Sequence, residues 1–385
     1  MRATSLCIAV LMVILVVLAG CTPRVPTTPT PVPPQAAPAL PTMAVPIVSP
    51  EDAAWQKVVS EAKREGKVTL YTTGFVGEKG QIVSKSFENR YGIKLEFVTG
   101  IATVHIERIK TEHRAKKYIA DTLDSSTSNV VMAKEEGLTV SMGDLPVLRE
   151  KDIWTPVPPN ADPEGHLMGY KGGVYPLWVN TARVKPGEEP CSYRELLDPR
   201  WRSGKITISS PVTTPTSIMI YLATKKAGTL DDDFWRRLGS QEVRMAPSFQ
   251  EPLLWLAQGQ VALSLTAVDF NMAPYVKEGA PVKALEMVEG VIVQPLLTSI
   301  ALIKNGPHPN AARVFVNWIL SQEGQQVFAE ATGGMLPMRK DNTDIRPPAL
   351  RVEMKKPLVA DFSMAVEATK LQREGTLAKL LGMEK

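Results

Sequence analysis

Apolar residues from position 51 onwards switch between the spacing of a helix and that of a strand. A first helical stripe ends at Gly66 and leads into a strand at residues 68–71, and a second stripe ends at Gly92 before a strand at residues 93–97. The first stripe consists of Ala54, Trp55, Val58, Val59 and Ala62, and the second of Ile82, Val83, Phe87 and Tyr91. This order predicts a mostly parallel sheet covered by helices, and therefore an α/β fold.

The same pattern continues towards the end of the chain. Strands are predicted near residues 205–209 and 261–266, and a helix opens at Pro309. The apolar stripe of that helix consists of Ala311, Val314, Phe315, Trp318 and Ile319. Residues 51–385 exceed one ordinary domain and have the size of two lobes.

The first 21 residues have the pattern of a targeting signal. Arg2 precedes an apolar run from Cys7 to Ala19, which is shorter than the roughly 20 residues of a membrane span but suits a secretory signal peptide. The run leads into Leu-Ala-Gly-Cys, which resembles the bacterial lipoprotein signal and implies that cleavage leaves Cys21 as the lipidated first residue. The alternative is an uncleaved anchor, or ordinary secretion with an incidental cysteine. Both alternatives place the rest of the chain outside the cytoplasm.

The next segment separates this signal from the folded body. Residues 22–50 are dominated by Pro, Thr, Ala and Val, and Arg24 is their only charge. Such a segment cannot bury enough apolar surface to fold, and its prolines favour an extended chain. We therefore expect a linker that holds the body away from a bacterial membrane, to which the lipid on Cys21 anchors it.

Composition narrows the class of partner. The 44 Lys and Arg residues against 40 Asp and Glu give a net charge of +4, spread along the chain, which argues against nucleic-acid binding. With Cys7 and Cys21 assigned to the signal, Cys191 is single, so no disulfide is expected. We expect a monomer.

Loops rich in small hydroxyl residues follow four of the predicted strands. Ligands of α/β sheets bind where strands end and helices begin, so these loops are candidates for one binding site. Their residues are Thr72, Thr73, Gly74 and Phe75; Ser125, Ser126 and Thr127; Thr213, Thr214, Thr216 and Ser217; and Asp269, Phe270 and Asn271. The alternative for any one loop is that its Ser and Thr residues are helix N-caps.

Four segments resemble the extracellular solute-binding proteins of ABC importers, in the group that includes ferric-iron, thiamine, polyamine and aminoalkylphosphonate binders. The segments are VTLYTTGFVGEKGQIVSKSFENRYGIKLE (68–96), WVNTAR (178–183), LLDPRWRSGKITIS (196–209) and SIALIKNGPHPNAARVFVNWILSQEGQQVFAEATGGMLP (299–337). The resemblance implies a two-lobed, type II periplasmic-binding-protein-like fold. Each lobe would be a mostly parallel sheet flanked by helices, with hinge strands between the lobes and the solute in the cleft.

Lobe boundaries follow from the same resemblance. We expect lobe 1 to comprise residues 51–175 and 293–334, and lobe 2 to comprise residues 176–292 with the C-terminal segment 335–385.

The resemblance also bears on the ligand, because ferric members of the group hold iron with two adjacent tyrosines, a histidine and a glutamate. The matching positions here are Asp269 and Phe270, Phe75, and Ser126, which suit a hard cation poorly. We therefore expect no metal but a small polar organic solute, amphoteric or anionic, whose amine would face Asp269. Trp178 is a further aromatic candidate. The alternative role is core packing for Phe75, Phe270 and Trp178, and a structural cap for Asp269. Ferric iron remains the alternative ligand.

An enzyme is the rival class, and its motifs are missing. His105-Ile106-Glu107 resembles the start of a zinc-deaminase site, but no paired-cysteine segment follows. The sequence has neither a Gly-x-Ser-x-Gly elbow nor a phosphate-binding loop. We expect no catalytic residue and no cofactor. The expected function is capture of a solute by lobe closure and its delivery to an ABC permease in the membrane, with a solute sensor that docks on a receptor as the other alternative.

Overall fold

A computed structural model describes residues 50–150, 153–154 and 162–383, which belong to one compact unit. The predicted signal peptide 1–21 with Cys21, and the predicted linker as far as residue 49, lie outside the described residues. None of the helices in the described ranges combines the length and the apolar character needed to cross a membrane.

The described residues form 12 strands and 12 α-helices. The strands are β1 (Lys67–Thr72), β2 (Lys94–Thr99), β3 (Thr122–Ser126), β4 (Thr139–Val140), β5 (Met168–Tyr175), β6 (Leu177–Asn180), β7 (Ile206–Ser209), β8 (Arg244–Ala246), β9 (Leu263–Ser264), β10 (Val282–Leu285), β11 (Val291–Ile303) and β12 (Pro357–Val359). The helices are α1 (Pro50–Glu65), α2 (Glu78–Tyr91), α3 (Ala102–Ala115), α4 (Thr127–Glu135), α5 (Thr216–Lys226), α6 (Asp232–Gly239), α7 (Glu251–Ala257), α8 (Asp269–Lys277), α9 (Pro309–Leu320), α10 (Gln322–Thr332), α11 (Phe362–Glu374) and α12 (Thr376–Leu380).

The strands form two mixed sheets. The first has the order β12-β11-β3-β1-β2, with β4 and β5 also paired to β11, and the second has the order β10-β6-β9-β7-β8. In the first sheet β1 is parallel to both β2 and β3, and in the second β7 is parallel to both β8 and β9. The antiparallel pairs are those of β11 with β3, β4 and β5 in the first sheet and those of β6 with β9 and β10 in the second. The predicted α/β class is confirmed.

Helix α9 shows how the sequence specifies an element. Pro309 stands at its start, where the missing N–H costs nothing, and the predicted stripe faces the core. Within that stripe Val314, Phe315 and Ile319 are completely buried, because each spacing of three or four residues returns to the same side of the helix. Helix α2 ends as predicted at Gly92, whose φ of 70° is left-handed and therefore suits glycine.

Sheet membership changes twice along the chain, between β5 and β6 and again between β10 and β11. The predicted lobe boundaries at residues 175/176 and 292/293 remain predictions. Strand β12 belongs to the segment 335–385, which is predicted to lie on lobe 2. This strand pairs in parallel with β11 in the first sheet, where Val291, Ile292 and Val293 would otherwise lack a partner on that side.

Candidate functional site

A cavity of about 400 Å³ lies where the loops after β1, β3, β7 and β9 meet. These are the four loops that the sequence singled out, and they converge because strands of a parallel pair end at the same edge of a sheet. Nine of the predicted residues line the cavity: Thr73, Gly74, Ser126, Thr127, Thr213, Thr214, Thr216, Phe270 and Asn271.

The other predicted residues do not line the cavity and are buried: Thr72, Phe75, Ser125, Trp178, Ser217 and Asp269. Phe75 stacks on Phe97 and Tyr170 with ring centroids 5.6 and 6.3 Å apart, and Trp178 donates its Nε1–H to the carbonyl of Ala267 at 2.9 Å. Core packing, which was the alternative for both rings, is therefore their role in this structure.

The side chain of Thr72 stabilises the loop after β1 through hydrogen bonds. Its hydroxyl accepts the backbone N–H groups of Gly74 at 3.0 Å and Phe75 at 3.1 Å, and it donates to a carboxylate oxygen of Asp124. The hydroxyl thus has no remaining proton for a solute, but it fixes the turn that presents Thr73 and Gly74 to the cavity.

Asp269 has a structural role in place of the expected contact with a solute amine. It is completely buried at the start of α8, where one oxygen accepts the backbone N–H of Val174 at 3.1 Å and the other pairs with Arg346 at 2.8 Å. Arg346 is itself only 3% exposed and also binds Asp344. Burial raises the pKa of Asp269, and the charge of Arg346 opposes that rise.

Asp124 is the carboxylate at the wall of the cavity, and its oxygens are already occupied. One accepts the hydroxyl of Thr72 and the other accepts the phenol of Tyr170. Burial raises the pKa of Asp124, and these two hydrogen bonds oppose the rise. The carboxylate therefore organises neighbouring hydroxyls, and an added cation would compete with these two donors for it.

Lys171 and Lys79 bring positive charge to the cavity, and the side chain of neither makes a hydrogen bond or ion pair among the described residues. Lys171 is half-buried on β5, and its Nζ lies 4.5 Å from the centroid of the Phe270 ring. Burial lowers the pKa of Lys171 to about 8, a shift that Asp124 opposes and Lys79 adds to. The sequence reasoning missed this residue, although an isolated lysine inside the apolar stretch GYKGGVY was a usable signal.

A bulge in β11 contributes further residues that the sequence reasoning missed. Gln294 pairs with Gly173 and Thr298 with Lys171, so that four steps along β11 match two along β5. Such an irregularity re-aims side chains, and Gln294, Leu297 and Thr298 all line the cavity. Neither Gln294 nor Thr298 has a side-chain hydrogen bond among the described residues.

Three helices begin at the cavity wall. The starts of α4, α5 and α8 contribute Thr127, Thr216 and Phe270, and none of the three helices has a side-chain hydrogen bond at its N-cap. At α8, however, the carboxylate of Asp269 accepts the backbone N–H of Phe270. The first N–H groups of α4 and α5 are uncapped by side chains, and the helix dipoles add positive potential there. The alternative that Ser and Thr residues are N-caps does not describe these three starts.

The described residues contain no group of three or more His, Cys, Asp or Glu side chains placed to hold a metal ion. Asp269 and Phe270 occupy the positions at which the sequence resemblance places the tyrosine pair of ferric members. Asp269 is bound to Arg346. Tyr170 lines the cavity, but its hydroxyl donates to Asp124, and burial raises its pKa well above the ordinary value.

Comparison with known families matches residues 144–363 to the model of bacterial extracellular solute-binding proteins. An uncharacterised protein of Haemophilus influenzae is 23% identical over 287 residues, covering 71% of this chain and 79% of that protein. Iron uptake protein A1 of Synechocystis is 21% identical over 275 residues, covering 69% of this chain and 74% of that protein.

Solved structures share the fold. The periplasmic binding protein AfuA from Actinobacillus pleuropneumoniae, with fructose-6-phosphate bound, superposes with a TM-score of 0.65 at 20% identity, over 82% of this chain and 98% of that one. Iron-bound HitA from Pseudomonas aeruginosa gives a TM-score of 0.65 at 22% identity, over 80% and 98% of the two chains. The predicted type II periplasmic-binding-protein-like fold is confirmed.

Proposed function

The chain belongs to the family of bacterial extracellular solute-binding proteins, and we propose that it captures a small anionic organic solute in the cavity for delivery to an ABC permease. This family membership confirms the resemblance found in the sequence, and it fits a protein that acts outside the cytoplasm. A lipid anchor at Cys21, a monomeric state and delivery to a permease are parts of the proposal.

The charge balance of the cavity carries the choice of an anion. Lys171 and Lys79 have no ion-pair partner among the described residues, whereas the carboxylates of Asp124 and Asp269 are bound by neighbouring groups. The starts of α4 and α5 add uncapped N–H groups and positive potential at the cavity. An anion would pair with these positive groups, while an ammonium group would compete for carboxylates that already accept hydrogen bonds or an ion pair. We therefore favour an anionic over an amphoteric solute.

Capture would proceed by closure of the two lobes. A solute that contacts Lys171 and the α4 start from the first sheet, and the α5 and α8 starts from the second, gains contacts that only the closed form provides. Such a solute shifts the equilibrium towards the closed form by its differential affinity. The closed complex is then the form that a permease would recognise, and a solute sensor would use the same closure.

Calorimetry against simple carboxylates and phosphonates tests the proposal. Lys171→Met is expected to weaken anion binding by about 1.5–3 kcal/mol, or roughly 10- to 150-fold, the range for a hydrogen bond to a charged group. Lys57→Met is the matched control, because Lys57 is exposed on α1 and away from the cavity. Equal affinities of Lys171→Met and wild type for every bound anion would refute the role of Lys171.

Ferric iron is the second candidate, and one observation favours it. Tyr170 and Asp124 line the cavity in direct contact, and a phenolate with a carboxylate is suitable ligation for a hard cation. Against it stands the energetic cost of deprotonating this buried phenol. Titration with ferric citrate distinguishes the two, because phenolate ligation produces a visible charge-transfer band that Tyr170→Phe would abolish.

A further inference from the structure

The cavity has an apolar wall that an anionic group alone would leave uncovered. Met219, Phe249, Leu297 and Phe328 line it together with Val268 and the ring of Phe270. They come from α5, the segment before α7, β11, α10 and the start of α8, so both sheets contribute to the wall. The volume of about 400 Å³ lies at the small end of the range for ligand pockets, about 300–1,000 Å³, and suits one small molecule.

Phe249 is the most informative member of the wall. Its side chain is 48% exposed although phenylalanine gains by burial, and it lies immediately before α7 at the cavity. A large aromatic ring that is half exposed inside a binding cleft provides a surface for an apolar ligand group. In contrast, Met219 and Phe328 line the same cavity and are each only 4% exposed.

Two hydroxyl groups of the cavity have no proton left for a polyhydroxylated solute. Thr127 donates its hydroxyl proton to the carbonyl of Leu296 at 2.6 Å, and Thr332 donates its proton to the carbonyl of Phe328 at 2.8 Å. Each of these hydroxyls retains only acceptor capacity. A sugar-like solute would also place several hydroxyls against the apolar wall, where they lose hydration without replacement.

We infer that the solute is an anion with an apolar body, such as an arylalkyl or branched alkyl carboxylate or phosphonate, whose charged group faces Lys171 and whose body contacts Phe249 and Met219. This inference rests on the proposed function, since it assigns the class of the anion. The two sides of the cavity would then recognise the two ends of one molecule.

Calorimetry of the full chain with charge-matched pairs tests the inference. One pair is phenylacetate and gluconate, and the other is phenylphosphonate and glucose 6-phosphate. We expect the aromatic member of each pair to bind at least ten-fold more tightly. Equal or tighter binding of the hydroxylated members would overturn the inference and leave the proposed function intact, whereas failure of all four anions to bind would overturn the proposed function itself.

Variants of the wall add a second readout. Phe249→Ala is expected to weaken binding of the aromatic anions on the order of ten-fold and to leave the hydroxylated anions unchanged. Phe249→Leu should keep most of the affinity. Val212→Ala is the matched control, since Val212 is 54% exposed on the neighbouring loop and does not line the cavity. Unchanged affinity of Phe249→Ala for both aromatic anions would also overturn the inference, with thermal unfolding of each variant as the check of its fold.

Discussion

The ion pair between Arg346 and Asp269 provides the sharpest test of how this cavity is held together. The two side chains are 3% and 0% exposed, with 2.8 Å between Nη1 and Oδ2, and they join segments 77 residues apart. Arg346→Met would leave the carboxylate of Asp269 buried with only the backbone N–H groups of Val174 and Phe270 and without a compensating charge. Removing one partner of a buried pair typically costs about 3–5 kcal/mol, because the other charge remains uncompensated. We expect this loss in the free energy of unfolding at pH 7.

The same reasoning predicts that the stability lost in Arg346→Met depends on pH. Burial already raises the pKa of Asp269, and loss of the charge of Arg346 would raise it further. A carboxyl group with a raised pKa in the folded state destabilises that state when ionised, and the penalty disappears as the pH falls through the raised pKa. The difference between Arg346→Met and wild type should therefore be largest near neutral pH and smaller under mildly acidic conditions.

Urea unfolding followed by tryptophan fluorescence measures both effects. Arg339→Met is the matched control, because Arg339 is also only 4% exposed but its partners Glu150 and Asp341 are 50% and 29% exposed and can be hydrated. The double variant Asp269→Asn/Arg346→Met removes both charges and should lose less stability than Arg346→Met alone. A cost below about 1 kcal/mol for Arg346→Met, or no recovery on acidification, would refute an uncompensated buried charge as the cause.

Three further predictions concern binding and anchoring. Because the pKa of Lys171 is lowered to about 8, affinity for phenylacetate should fall as the pH rises above 8, and a Lys171→Met variant with the same pH profile as wild type would contradict this. Thr72→Ala removes the acceptor of two backbone N–H groups and the donor to Asp124. We therefore expect the free energy of unfolding to fall by about 1–3 kcal/mol in denaturation experiments and solute binding to weaken in calorimetry. Unchanged stability and affinity would be inconsistent with this role of Thr72. Cys21→Ser should release the body from the membrane fraction with unchanged thermal stability, and retention in that fraction would indicate that the apolar segment is the anchor.

The sequence by itself predicted several of the helices and strands, the family and the loops of the candidate site. The periodicity of α9 and the glycine that ends α2 specify structure locally, since each depends only on residues within a few turns. The convergence of the loops after β1, β3, β7 and β9 was predictable as well, because strand ends in an α/β sheet share an edge.

Tertiary structure decided which of the predicted site residues line the cavity and which charged side chains lie in the cavity without an ion-pair partner. Asp269 follows a strand as a ligand-binding residue would, but Arg346 occupies its carboxylate, and a partner 77 residues away leaves no local pattern. Lys171 and Thr298 face the cavity beside a bulge between β5 and β11, a feature of strand register that depends on both strands together. The proposed ligand class therefore rests on long-range pairing, which gives the acidic groups partners and leaves the lysines without an ion pair among the described residues.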